Sequence, residues 1–159
     1  MPAFEFLEKL RSATSQHHQN LEKSPISTKL LSPDVTVRDY INYLLASYRL
    51  HGPVEDEVFP ILADTAGDIG NRQKAPAIEQ DLLALGQTNL PGETKFLGDE
   101  NVNVPFCLGV MYVIEGSTLG GMHIAKALNQ TLAAETPKAF LTVYGHYRPA
   151  VETVFTVTG

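Results

Sequence analysis

Two adjacent histidines near the start of the chain are the side chains best suited to hold a metal. His17 and His18 stand in the segment HHQNLE, and Glu22 follows His18 by four residues, on the same face of a helix. A histidine that ligates a metal usually donates its other ring N–H to an acceptor, which Glu22 or a water bound to it offers. The alternative is a solvated polar helix end. The apolar spacing of this helix favours His17 as the inward residue, whereas Glu22 lies on the same face as His18. Both histidines therefore remain candidates for the metal ligand.

Three glycines interrupt an apolar segment later in the chain. Gly116, Gly120 and Gly121 lie in YVIEGSTLGGMHIAKAL, residues 112–128, which otherwise has the composition of a buried helix. Each glycine in a helix interior costs about 1 kcal/mol relative to alanine. Two explanations for the bare backbone remain open. Either another helix packs closely against it, or a flat ligand lies on it.

Other kinds of site are less well supported by the sequence. His51 and Glu55 are also four residues apart, beside a Gly-Pro pair. A carboxylate-bridged di-iron bundle needs Glu-x-x-His on two helices, and the sequence contains no such motif. The sequence also shows no phosphate-binding loop, zinc knuckle or nucleophile elbow.

Apolar residues at spacings of three and four predict the helices that position these groups. The first helix is expected over about residues 2–22, and SPISTKLLSP allows one short helix at most. Thr36 and Asp39 resemble a capping box that begins the next helix. The pair Gly52-Pro53 is expected to kink or divide that helix near His51.

The second half of the chain predicts two further helices and an irregular end. The segment APAIEQDLLALG is a helix closed by Gly86. Asn103 caps a long helix that is expected to run past Gly121 to about Leu132. The β-branched end of the chain predicts at most one marginal helix, over about residues 148–154. The fold class is therefore all-α, with residues 1–159 forming a single domain.

Composition limits the cellular setting and the partners. A chain of 159 residues with 43% hydrophobic residues has the size and apolar content of one compact domain. The formal net charge of -6 argues against nucleic acid as the main partner. Cys107 is the single cysteine, which fits a reducing cytoplasm. We expect no signal peptide and no membrane span, because the opening residues are charged and no apolar run approaches about 20 residues.

Two segments together resemble one known family. LRSATSQHHQNLE, residues 10–22, and the glycine-containing segment 112–128 resemble the proximal and distal helices of the heme oxygenase family, in its bacterial, biliverdin-producing branch. DYINYLLASYRLHGPVEDEV fits the segment between them, and the resemblance covers roughly residues 5–150. It implies a multi-helix bundle that holds heme between a proximal helix and a glycine-rich distal helix.

The resemblance also implies roles for individual residues. It selects His18 over His17 as the ligand of the heme iron, with Glu22 as the carboxylate behind it. Gly116 and Gly120 fall on the two glycines that pack over the distal heme face. The other heme contacts implied by the resemblance are Arg11 near a propionate, Thr14, Tyr112, Gly121 and Arg148.

The chain departs from the family pattern in two places. Ser117 stands where the best-known members carry an aspartate that organises water near bound oxygen, and we expect it to orient water in a catalytic role. The helical part that normally follows the distal helix is expected to be short here. Arg148 is the residue there that we expect to take over a propionate contact.

The activity implied by the resemblance is a heme oxygenase reaction. Heme is both cofactor and substrate, and O2 and an external reductant open its ring to biliverdin with release of carbon monoxide and ferrous iron. The implied electron donor is a ferredoxin, a flavodoxin or an NADPH-dependent reductase, and a phytochrome or a biliverdin reductase could take the product. The alternatives are a non-catalytic heme-binding or heme-storage protein on the same scaffold, and a related helical protein without heme.

Overall fold

The computed structural model describes residues 3–92, 94–98 and 102–145, and over these residues the regular elements are all helical, as predicted. In this part of the chain the α-helices are α1 (Ala3–Glu22), α2 (Pro25–Leu30), α3 (Val37–Glu57), α4 (Phe59–Leu62), α5 (Ala75–Ala84), α6 (Val104–Thr118) and α7 (Gly121–Thr131). A short 3₁₀ helix over Ile69–Arg72 precedes α5. The helix expected at about residues 148–154 lies outside the described residues.

Local sequence signals set several helix ends where they were expected. The Thr36 side chain accepts the Asp39 N–H, and the Asp39 carboxylate accepts the Thr36 N–H, so the capping box of α3 is complete. The Asn103 side chain accepts the Phe106 N–H at 3.0 Å and begins α6. Gly86 follows α5 with a φ of 81°, in the left-handed region that glycine adopts without strain.

Two predicted helix boundaries differ in the structure. Of the two alternatives expected near His51, a kink or a division, the division does not occur. Helix α3 continues through Pro53 to Glu57, because burial of Pro53 and Val54 outweighs the hydrogen bond that proline cannot donate. The long last helix is instead interrupted at Leu119 and Gly120. Gly120 then acts as the N-cap residue of α7, and its carbonyl accepts the first hydrogen bonds of that helix.

Buried apolar side chains form two clusters in the described part of the chain, and α3 contributes to both. The first cluster joins α2, the first half of α3, α5, α7 and Phe140–Leu141. The second joins the end of α3, α4, the 3₁₀ helix and the buried side of α6. Polar side chains that are nonetheless buried lie along the same helices, among them His51, Glu55, Asp81 and Glu115.

One segment of the described chain is long and apolar enough to cross a membrane by length and composition. It is Val104–Thr131, in which one 18-residue window has a mean hydropathy of 1.2. The expectation of no membrane span rested on uninterrupted apolar runs and did not include this segment. It contains the buried, ion-paired Glu115 and the break at Gly120.

Candidate functional site

His18 lies on the last turns of α1 and faces Glu22. Its Nδ1 is 3.4 Å from Glu22 Oε1, and the two side chains are 62% and 65% exposed. A pair this exposed adds little to stability. The Glu22 carboxylate does, however, hold one ring nitrogen of His18, which leaves the other ring nitrogen available for a metal. This is the arrangement expected for a metal-ligating histidine. His17 is exposed as well, so burial does not distinguish the two histidines, whereas the Glu22 contact belongs to His18.

Helix α1 leaves its apolar stripe only partly covered, since Leu7 and Leu10 are half-buried. None of its described side chains belongs to either apolar cluster, and Leu21 is 62% exposed. Arg11 is exposed on the same helix, seven residues or about two turns before His18, and therefore on the same face. Thr14 is half-buried, and its hydroxyl donates to the Leu10 carbonyl at 2.9 Å.

The three glycines of the distal segment have different surroundings. A Cβ added to Gly116 would meet nothing within 4 Å, and one added to Gly120 would meet only the Ser117 carbonyl oxygen at 3.7 Å. A Cβ on the buried Gly121 would lie 2.7 Å from the Leu141 carbonyl oxygen. Close packing therefore explains Gly121. For Gly116 and Gly120, where no packing neighbour is present, the explanation that remains is a flat ligand lying on the backbone.

The open glycines belong to an exposed apolar face. On α6 this face includes Phe106, Gly109, Val113 and Gly116, at spacings of three and four residues, and Val113 is 54% exposed. Leu119 and Met122 extend the exposed apolar surface at the break between α6 and α7. An apolar patch of this kind, centred on bare backbone, is typical of a binding surface.

Two further predicted residues lie on or beside this face. Ser117 is exposed, and its hydroxyl donates to the Ile114 carbonyl at 2.8 Å, so its oxygen lone pairs are left to accept a hydrogen bond. Tyr112 is half-buried one turn before Gly116. Arg148, the remaining predicted contact, lies outside the described residues.

The segment 139–145 packs beside the glycine break. The fully buried Asp81 carboxylate accepts the Ala139 and Phe140 N–H groups at 2.8 and 2.9 Å, which fixes the start of this segment. Leu141 then covers Gly121. The result is a shallow cleft lined by Leu119, Met122, Leu141 and residues 143–145.

A buried ionic cluster on the other side of α6 was missed in the sequence. Glu115 is 1% exposed, and its carboxylate contacts Arg72 Nη1 at 3.1 Å, Lys74 Nζ at 2.6 Å and the Tyr144 hydroxyl at 2.6 Å. Burial, together with the Glu115 charge, raises the pKa of Tyr144, so its phenol stays protonated and donates. The available signal was that Glu115 is the single acidic or basic residue in residues 104–122.

The His51 and Glu55 pair does not form a metal site. Glu55 Oε1 accepts the Lys74 and Ala75 N–H groups at 2.6 and 2.9 Å, so this carboxylate caps the first turn of α5. His51 packs edge-on against the Phe140 ring, and its buried Nδ1 has no hydrogen-bond partner. Among the described residues, no group of three or more His, Cys, Asp or Glu side chains is arranged to hold a metal ion.

His51 predicts a specific loss of stability in acid. Burial, with a smaller contribution from the Lys74 charge, lowers the pKa of His51 to about 3. An unfolded histidine takes up its proton near pH 6.5, so the unfolded chain binds more protons between these two values and stability falls as the pH falls. Lowering the pH from 7 to 4.5 should therefore cost about 3 kcal/mol through this residue.

The matched variant is His51→Phe, which keeps an aromatic ring against Phe140. Urea unfolding at pH 7 and pH 4.5 should show a smaller loss of unfolding free energy in the variant than in the wild type. Equal losses would show that His51 does not carry this pH dependence.

Comparison with known proteins gives one match. A family model described as heme oxygenase matches residues 4–105, which is more than half of the chain. The match includes α1 with His18 and ends as α6 begins, so the open glycines lie beyond it. No curated protein and no solved structure matches the chain.

Proposed function

The chain belongs to the heme oxygenase family, and we propose that it binds heme and opens the ring to biliverdin, with release of carbon monoxide and ferrous iron. The structural observation that carries the proposal is the uncovered apolar face with open space at Gly116 and Gly120. The same proposal places the chain in the bacterial branch, as a single cytoplasmic domain. It takes O2 and receives electrons from a ferredoxin, a flavodoxin or an NADPH-dependent reductase.

The residues present fit a heme group. Histidine is the ligand that holds heme iron in globins and peroxidases, and His18 presents an exposed imidazole already oriented by Glu22. A porphyrin is flat and mostly apolar, and both the half-covered stripe on α1 and the exposed glycine face of α6 are apolar. When bound, heme supplies the iron that activates O2 and the ring that is oxidised.

The proximal residues have separate roles in this proposal. His18 holds the iron, and Glu22 keeps the imidazole in one orientation. Arg11 pairs with a propionate from the same helix face, where its guanidinium can bind a carboxylate through two parallel hydrogen bonds. Thr14 lies between Arg11 and His18 on α1 and contacts the porphyrin ring. Arg148 is proposed as a second partner of the propionates.

The distal residues provide space and hydrogen bonds. Gly116 and Gly120 leave room for a flat ring and for O2 beside it, since a side chain at either position would occupy that space. Tyr112 borders the ring. Ser117 accepts a hydrogen bond from a water, which can then pass protons to the site without an acid at this position.

A second function, heme binding or storage without turnover, is supported by one observation. The Ser117 hydroxyl has one hydrogen and donates it to the Ile114 carbonyl, so in this arrangement it cannot also donate a hydrogen bond to O2. A protein that holds heme but lacks a proton supply would cycle its iron without opening the ring.

One cuvette experiment tests both functions. The purified protein is titrated with hemin, and reduced ferredoxin or ascorbate is then added in air with catalase present. Growth of the biliverdin absorption band supports the oxygenase. A change only between ferric and ferrous spectra supports the heme carrier, and failure to bind hemin rejects both.

The variant Ser117→Ala measures how much the serine hydroxyl contributes to the rate of ring opening. Because the hydroxyl acts through water and backbone amides can share that task, ring opening should slow by no more than about 100-fold, the low end of general acid–base effects. Single-turnover biliverdin formation measures the rate. A complete loss of product with hemin affinity unchanged would show that Ser117 has a direct role.

A further inference from the structure

Helix α6 cannot be oriented by its apolar pattern alone. An ordinary surface helix turns its single apolar face to the core, and this fixes its rotation about its own axis. The α6 sequence VPFCLGVMYVIEGST is apolar on nearly every side. Rotating it would turn exposed apolar side chains such as Phe106 and Val113 inward, so apolar side chains would be buried in either orientation. A different interaction must set which face is buried.

Glu115 provides that interaction. It is the single acidic or basic residue of α6, and its buried carboxylate contacts Arg72, Lys74 and Tyr144 at 3.1, 2.6 and 2.6 Å. Lys74 is itself fully buried and also donates to the Arg72 carbonyl at 2.7 Å. A rotation by one residue position, about 100°, would remove the carboxylate from these donors. Buried charges without partners are strongly destabilising, so other rotations are excluded.

We propose that Glu115 is the positioning residue that fixes the rotation of α6 and thereby keeps Gly116 on the open face. Val113 lies about 200° from Glu115 around the helix, whereas Cys107 lies about 80° from it. Burial agrees, because Cys107 is fully buried and Val113 is 54% exposed. Gly116 lies about 60° from Val113 around the helix, so it stays beside the exposed face when Glu115 is buried. If Val113 were turned to the core instead, Gly116 would turn inward with it.

The physical precedent is the single buried polar residue that sets register in a coiled coil. Such a residue reduces stability relative to an apolar one but excludes the alternative packings. The Glu115 cluster joins three parts of the chain, namely residues 68–74, α6 and Tyr144. The rotation is a property of the heme-free protein, and only its link to heme binding rests on the proposed function.

The test replaces the whole ionic cluster with apolar side chains of similar size. The triple variant Arg72→Met, Lys74→Met, Glu115→Met removes all three buried charges, and the Asp68 carboxylate that loses its Arg72 contact is 50% exposed to water. Replacements of this kind are often neutral or stabilising. It is therefore expected to fold, as circular dichroism and thermal melting will show. Its α6 should no longer prefer one rotation.

The single cysteine of the chain reports the rotation. Cys107 is buried on the Glu115 side of α6, and burial raises the pKa of its thiol, so its labelling by a maleimide is slow in the wild type. A second reporter is the double variant Val113→Cys, Cys107→Ser. Its cysteine stands at an exposed position, so maleimide labelling of that thiol is expected to be fast. Both are measured without heme, in the wild-type and the triple-variant background.

Rotation predicts opposite changes at the two reporters. In the triple variant the Cys107 thiol should react at least about tenfold faster, because even a partly populated exposed rotation raises a slow rate. The cysteine of Val113→Cys should react about twofold slower, because it is buried in part of the population. Unchanged rates at both positions would overturn the proposal, because apolar packing alone would then set the rotation. Faster reaction at both would also overturn it, since that is the result of general loosening.

Hemin titration of the same proteins separates this inference from the proposed function. Failure of the wild type to bind hemin rejects the function and leaves the labelling result standing. If the wild type binds hemin, the triple variant should bind it at least about tenfold more weakly, which is a loss of about 1.4 kcal/mol. Equal affinity would overturn the link between the rotation and the binding face.

Discussion

His18→Ala is expected to abolish the histidine-ligated heme spectrum and, with it, the formation of biliverdin. The imidazole of His18 is the proposed ligand of the iron, and Glu22 orients it from 3.4 Å. Because alanine supplies no ligand, the remaining apolar contacts would hold the ring without fixing its iron. Added imidazole should restore part of the ligated spectrum, since it can enter the space left by the side chain.

The neighbouring histidine is the matched control. His17 is equally exposed on α1 but has a different direction around the helix. His17→Ala should therefore leave the spectrum and the turnover unchanged. Should His17→Ala remove the spectrum and His18→Ala leave it intact, the assignment of the ligand would have to be exchanged. Both side chains are solvent-exposed, so neither variant should alter the melting temperature of the heme-free protein by more than a small amount.

Most of the fold could be predicted because its helices carry local signals. The capping box at Thr36 and the cap at Asn103 are encoded within four residues of each helix start, and the structure confirms both. The continuation of α3 through Pro53 could not be read locally, because it depends on burial against α4 and α6. The break at Gly120 is of the same kind, since it depends on Leu141, a residue 20 positions later that packs on Gly121.

The candidate site divides along similar lines. His18, Glu22 and the glycines were predicted from short motifs together with the family resemblance, because the apolar spacing alone favours His17 over His18. The partners of Glu115 could not be found in this way. Arg72, Lys74 and Tyr144 are 43, 41 and 29 residues away in sequence, and nothing local connects them to α6. A lone charge inside an apolar helix nevertheless indicates a buried partner, because an unpaired charge there is too costly.

The different surroundings of the glycines predict opposite effects of substitution on stability and on heme binding. Gly116 lies inside α6 with nothing within 4 Å of an added Cβ, and leucine is a better helix former than glycine by about 1 kcal/mol. Gly116→Leu should therefore leave the heme-free protein as stable as the wild type or slightly more stable. The same side chain would stand where the ring is proposed to lie, and an insertion into packed space costs about 1–3 kcal/mol.

The heme affinity of Gly116→Leu should accordingly fall about ten- to hundredfold, which corresponds to that cost. The control is Gly121→Ala, whose new Cβ would lie 2.7 Å from the Leu141 carbonyl oxygen. Because that contact is with backbone, which cannot swing aside, this variant should lower the melting temperature of the heme-free protein. Thermal melting without heme and hemin titration of both variants decide the matter. A Gly116→Leu protein that melts early yet binds hemin normally would assign Gly116 to packing and remove the ring from the open face of α6.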